Sequence, residues 1–240
     1  MNKVLALTGM HRSGTSLIAH WLQTCGLYIG DDLLPAYPSN PQGHFEDVHF
    51  MRFQRRILKD NGLGYLVRPH DRILLHEHDY AAAQKLIAER ENFRQWGWKD
   101  PRTCLFLDFW KKLIPNLKAV VVFRHYGQVV HSLVKRDPPL TACKNLRRYV
   151  LAWQRYNQDV LRFAAKYPDD ILLVELQRVL GESENLINLI NQKWDIHLEI
   201  CPVEAVFEAN LLHQGNYPIL SRTCELLCPS IKITYQQLVA

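Results

Sequence analysis

The chain lacks any apolar run near the ~20 residues that cross a bilayer. Its first apolar stretch, Val4–Leu7, is too short for the core of a secretory signal. These absences predict a soluble, cytoplasmic protein without membrane partners. There is no CxxC pair; the six cysteines are scattered at 25, 104, 143, 201, 224 and 228. A disulfide framework is not needed at 240 residues, so core thiols are expected, with Cys224 and Cys228 on one face if they lie on a helix. No run of about five basic residues occurs, and the net charge of +5 is too modest to imply nucleic acid. It suits a small, highly anionic ligand instead. His70, His76 and His78 lie close in sequence, yet they lack a cysteine partner or a helical pair at ligand spacing, so no metal is expected. Internal repeats and low-complexity segments are also missing. A hydrophobic fraction of 48% over 240 residues fits one α/β domain with an ordinary core.

What is present begins with Gly9-Met10-His11-Arg12-Ser13-Gly14-Thr15-Ser16. An apolar run precedes it and the amphipathic Leu17–Leu22 follows, which is the order strand, glycine loop, helix. Such a loop cradles an anion with backbone N–H groups at a helix N-terminus. The spacing Gly9-x4-Gly14 matches a P-loop, but no lysine follows the second glycine; the cation sits inside the loop at Arg12. An anion site is therefore expected, in a manner unlike a Mg-nucleotide triphosphatase. The alternative is an ordinary strand-to-helix turn.

The rest of the chain alternates strands and helices. Residues 30–43, with Pro35, Pro38 and Pro41, read as a surface loop. Residues 47–59 have helical periodicity, 60–80 have little, and 81–92 favour helix. A short strand ends near Lys99, and Pro101 opens the following helix. Leu117–Phe123 and Ile171–Val174 are apolar runs of the kind buried on both faces of a parallel sheet. Helices are expected over 128–136, 144–166 and 183–193, with a break at Pro138-Pro139. Trp96 and Trp98 alternate along a strand, with one expected in the core and one facing a helix; use as an acceptor platform is a weaker reading of the same pair. Trp153 and Tyr156 read as core. Beyond Pro202 the pattern assigns no element. The expectation is a single α/β domain over 1–240, a parallel sheet with helices on both faces in a P-loop nucleotide-hydrolase-like fold, carrying an irregular substrate-side insertion at about 30–95.

In such sheets ligands bind beyond the carboxyl ends of the strands. The most apolar strand ends in Arg124, where a nucleotide triphosphatase would carry a metal-holding carboxylate. A cation there fits a second anionic group, or else a structural salt bridge. Ser132, eight residues on, lies on the next helix.

This combination resembles the sulfotransferases that use 3′-phosphoadenosine 5′-phosphosulfate, in particular tyrosylprotein sulfotransferases and bacterial relatives. The resemblance rests on the Arg-Ser-Gly-Thr loop, on Lys99-Asp100-Pro101, and on the segments Ile114–Lys118 and Val130–Leu133. It covers about residues 3–25 and 96–135. It implies that His11, Arg12, Ser13, Gly14, Thr15 and Ser16 hold the 5′-phosphosulfate, that Arg124 and Ser132 hold the 3′-phosphate, and that no metal is required. Two features depart from many members: Tyr126 stands where a proline is usual, and the Arg-Lys-Gly-x-x-Gly segment of cytosolic enzymes is absent.

Sulfuryl transfer, by analogy with phosphoryl transfer, relies on positioning and cationic stabilisation of a loose transition state. Arg12 and Lys99 are expected to flank the sulfate, with Lys99 at the leaving oxygen. Glu46 is the first candidate for the base that activates a small-molecule or peptide acceptor, with helix capping as its other reading; His44 and His11 compete for the same role. Two rivals stand beside this reading: a P-loop small-molecule kinase, and a catalytically silent nucleotide-binding protein.

Overall fold

The computed structural model describes residues 2–36, 43–206 and 215–240. Four parallel strands form one sheet in the order β2-β1-β3-β4: β1 Lys3–Thr8, β2 Gln95–Lys99, β3 Leu117–Phe123 and β4 Ile171–Glu175. Register pairs Lys3 with Gln95, Val4 with Leu117, and Ala119 with Ile171. The pleat sends alternate side chains to opposite faces. Leu5, Leu7, Val120 and Val122 pack against α1 (Thr15–Thr24), α7 (Leu176–Gly181) and α8 (Ser183–Trp194). Val4, Ala6, Trp96, Trp98, Ala119, Val121 and Phe123 face the opposite way. There they meet α2 (Val48–Asp60), α4 (Leu107–Leu113), α5 (Tyr126–Arg136), α6 (Pro139–Lys166) and α10 (Ile231–Val239). The two-faced parallel sheet read from the sequence is the architecture found.

Several local expectations need correction. Trp96 and Trp98 are two residues apart and so share a face; both are buried, and Trp98 stacks on Phe50 with centroids 4.5 Å apart. Neither ring is open to an acceptor. The helix expected at 81–92 is α3, Glu77–Ala88. It starts four residues earlier because Asp79 Oδ2 accepts the His76 N–H at 2.8 Å, satisfying an otherwise orphaned donor. Pro101 opens a 3₁₀ turn, Pro101–Leu105, ahead of α4, and Pro139 is the first residue of α6, so that helix is longer than its apolar periodicity indicated. Beyond Pro202 lie α9 (Pro218–Leu227) and α10, where Cys224 and Cys228 are buried free thiols. Of the expected surface loop, residues 37–42 lie outside the described residues.

Candidate active site

The strand-to-helix loop after β1 has a backbone that few sequences can adopt. Gly9 has φ 145°, and a Cβ there would stand 2.0 Å from the carbonyl oxygen of Val122 on β3. Gly14 has φ 90°, and a Cβ there would collide with the Leu176 side chain. Arg12, though not glycine, is held at φ 73°. The loop therefore lies pressed onto the sheet end, with α1 starting immediately behind it. No acidic residue occupies the first turn of α1, so its N-terminal partial positive charge is not offset from within the turn. The Ser13 hydroxyl is buried and has no hydrogen-bond partner among the described residues.

Two crossovers bring the other expected cations, Arg124 and Lys99, to this loop and its Arg12. Arg12 Nε donates to Ser132 Oγ on α5 at 2.9 Å. Arg124, just past β3, donates from Nη1 to the Arg12 carbonyl at 3.3 Å and from Nε to Gln128 Oε1 at 3.3 Å. Burial lowers the proton affinity of both guanidiniums, and Arg12 lowers that of Arg124 further. Among the described residues Arg12 makes no ion pair with a carboxylate. Lys99, the last residue of β2, reaches the loop from the other side: its ammonium donates to Ser16 Oγ at 3.2 Å, the His44 carbonyl at 2.8 Å and Glu46 Oε1 at 3.0 Å.

Glu46 follows a strained corner. Phe45 has φ 53° and stacks on His20 of α1 with centroids 4.5 Å apart, which fixes the corner against the helix beside the loop. The Glu46 carboxylate is buried between Lys99 and Arg102, whose Nη1 lies 3.4 Å from Oε2. Burial pushes its proton affinity up, but the two cations outweigh this and hold it below the usual carboxylate value. The N-cap of α2 is Asp47, not Glu46: Asp47 Oδ1 accepts from the His49 and Phe50 N–H groups at 2.9 and 3.2 Å. The capping reading of Glu46 is thereby corrected by one residue.

Asp100 occupies a strand end where a metal-holding carboxylate could stand, but its oxygens are committed. Oδ1 accepts from Arg102 N at 2.8 Å and Nη1 at 2.9 Å, and Oδ2 from Gln54 Nε2 at 2.9 Å. Burial pushes its carboxyl up to about 6 against the pull of Arg102. Among the described residues no group of three or more His, Cys, Asp or Glu is placed to hold a metal ion, and His76 and His78 stack on one another.

His11 lies within electrostatic reach of Arg102, Lys99, Arg136 and Arg12. Its ring makes edge contacts with Tyr65 and Tyr156, centroids 5.0 and 6.0 Å apart, and its Nε2 is buried with no hydrogen-bond partner among the described residues. Burial and the charges of Arg102, Lys99, Arg136 and Arg12 hold its pKa well below 6.5. The His44 imidazole is lowered by burial as well, while Glu46 works in the opposite sense.

Hydrogen bonds thus tie Ser132 and Arg124 to the loop through Arg12, and Lys99 with Glu46 to the loop through Ser16. Sequence reasoning missed Arg102, whose only signal was its position three residues after Lys99 across a proline turn. It also missed Gln128, one helical turn after Arg124, and Tyr217. The Tyr217 ring stacks on His131 at 3.8 Å and brings the C-terminal segment next to Arg124.

No protein-family model matches the chain, and no curated protein matches it. Solved structures do. The sulfotransferase domain of the Synechococcus PCC 7002 olefin synthase superposes with a TM-score of 0.57 at 16% identity, over 100% of this chain and 95% of that one. The sulfotransferase domain from the curacin biosynthetic pathway gives 0.53 at 16% identity, over 90% of this chain and 79% of that one. A Mycobacterium avium sulfotransferase gives 0.53 at 15% identity, over 95% and 68%. The chain thus has the P-loop-like α/β fold shared by these sulfotransferases.

Proposed function

We propose that the protein is a sulfotransferase. It moves a sulfuryl group from 3′-phosphoadenosine 5′-phosphosulfate to a hydroxyl or amine of a small-molecule or peptide acceptor. The observation that carries this reading is the bond from Arg12 to Ser132, with Arg124 on the Arg12 carbonyl. It joins the helix-N-terminal loop to a second cationic site beyond β3, which suits a ligand with two anionic groups. The cradle fits an anion: Ser13 offers a buried, unpartnered hydroxyl, and Arg12 has no carboxylate partner among the described residues. A small-molecule kinase fits less well, because the loop has no lysine and Asp100 spends both its oxygens on Arg102 and Gln54.

When bound, the donor supplies an activated sulfuryl group on a phosphate leaving group. The loop N–H groups, Arg12, Ser13 and Ser16 bind the phosphosulfate oxygens. Arg124 and Ser132 bind the 3′-phosphate. Lys99 meets the charge that grows on the bridging oxygen. Glu46 is the counter-ion of Lys99. With His44 and His11, it is also one of the groups near enough to the centre to take a proton from the acceptor.

The test is calorimetric titration with adenosine 3′,5′-bisphosphate and with AMP, both in EDTA. The bisphosphate binds more tightly, and Arg124→Ala removes most of that difference, about 1.5–3 kcal/mol for a charged hydrogen bond. Equal affinities in the unaltered protein refute the reading, and phosphoryl transfer from ATP that requires Mg establishes the kinase instead.

A further inference from the structure

We propose that His11, rather than Glu46, takes the proton of the acceptor. This deepens the sulfotransferase reading and rests on it. Glu46 is a poor candidate because each of its oxygens already faces a cation, Lys99 at 3.0 Å and Arg102 at 3.4 Å. Both carboxylate oxygens are therefore occupied before an acceptor arrives. His11 feels the same cations but differs in that its ring nitrogen is not already taken. It is next to Arg12 in the anion loop, and its Nε2 is buried without a hydrogen-bond partner among the described residues. A buried nitrogen in that state is expensive to leave unsatisfied and points to a group absent from the free protein.

The charges around the ring also suit a base that acts only when the donor is in place. Arg12 faces it from the loop, Lys99 from the end of β2, Arg102 from the 3₁₀ turn and Arg136 from α5. The phenols of Tyr65, from the segment between α2 and α3, and Tyr156, from α6, border it. Glu46 and the His44 carbonyl are drawn to Lys99. In the free protein burial, reinforced by these cations, keeps the imidazole neutral, which is the state a base needs. Anionic phosphate and sulfate oxygens at the loop offset the same cations and raise the imidazole's affinity for a proton at the moment of transfer. In that step the acceptor oxygen bonds to sulfur. The bond from sulfur to the bridging oxygen breaks, its electron pair leaving on the 5′-phosphate of adenosine 3′,5′-bisphosphate. The acceptor's proton passes to His11, which later releases it to water.

The experiment is an NMR titration of the His11 imidazole in the full chain, free and saturated with adenosine 3′,5′-bisphosphate. It is paired with sulfate release from radiolabelled donor, using water as acceptor. The nucleotide is expected to raise the His11 midpoint by about one unit, a tenfold change in proton affinity. His11→Gln is expected to slow sulfate release by about 10²–10⁴-fold while nucleotide affinity falls far less. Normal nucleotide binding with an unmoved His11 midpoint, or with His11→Gln as fast as the unaltered protein, overturns the assignment alone. If hydrolysis is too slow to follow, the titration decides. Failure of the unaltered protein to bind the nucleotide overturns the sulfotransferase reading, and this assignment with it.

Discussion

Replacing Glu46 by Gln separates an ion pair from its surroundings with almost no change of shape. The Lys99 and Glu46 side chains are 1% and 6% exposed, so their charges are withdrawn from water and depend on each other. Removing one partner of a buried pair costs about 3–5 kcal/mol because the other charge is stranded. The amide oxygen of Gln can still accept from Lys99, which places the expected loss near the lower bound, about 3 kcal/mol. For a chain of this size that corresponds to about 6–12 °C in Tm. The loss also has a pH signature. Glu46 binds its proton more weakly in the folded state than its ordinary value of 4.5. Its stabilisation is therefore complete above that value and disappears as pH falls through the lower folded one. Asp100 acts in the opposite sense. Pushed up to about 6, it binds its proton more tightly when folded, so acidification from above 6 towards its ordinary 3.8 adds stability. Glu46 contributes to that rise in Asp100, so the Glu46→Gln variant should gain less from this acidification. Urea unfolding of both proteins at about pH 7 and about pH 3.5 measures the difference. A gap smaller than about 0.5 kcal/mol at neutral pH refutes the account of Glu46 as the buried counter-ion.

Other substitutions probe separate parts of the site. On the proposed function, Lys99→Ala should lower kcat by far more than it weakens adenosine 3′,5′-bisphosphate binding, in steady-state kinetics set beside calorimetry, because that reading puts its charge mainly at the leaving oxygen. Gly9→Ala should abolish nucleotide binding and destabilise the fold by more than about 3 kcal/mol in urea unfolding, since its Cβ would enter the Val122 carbonyl at 2.0 Å. Asp47→Ala removes the N-cap of α2 and strands Arg90, whose Nη2 lies 2.7 Å from Asp47 Oδ2. The cap alone is worth about 1 kcal/mol, and thermal unfolding should show a larger loss than that.

The sheet was legible because its central strands are buried on both faces: Ala119, Val120, Val121, Val122 and Phe123 follow one another without a polar break. The glycine loop, Lys99 and Arg124 were legible because each ends a strand. What failed was information held outside the local window. The start of α3 depends on a carboxylate reaching back to His76, and the true partners of Glu46 come from a strand end and a turn more than fifty residues further along. Trp96 and Trp98 share a face because the strand period is two, which an expectation of opposite faces overlooks. Arg102 carried no pattern of its own; only the turn set by Pro101 brings its guanidinium back onto Asp100 and Glu46.

The order β2-β1-β3-β4 has a consequence for how the site comes into being. Arg12 follows β1, Lys99 ends β2 and Arg124 follows β3, so the three cations share no local segment. They meet only after Lys3 has found Gln95 and Val4 has found Leu117, pairings that close very long loops and are slow to form. A peptide or fragment carrying the glycine loop alone cannot assemble this cradle. On the proposed function, anion affinity serves as a reporter of completed folding, and a bound nucleotide shifts the folding equilibrium towards the docked sheet in proportion to the logarithm of its concentration over Kd.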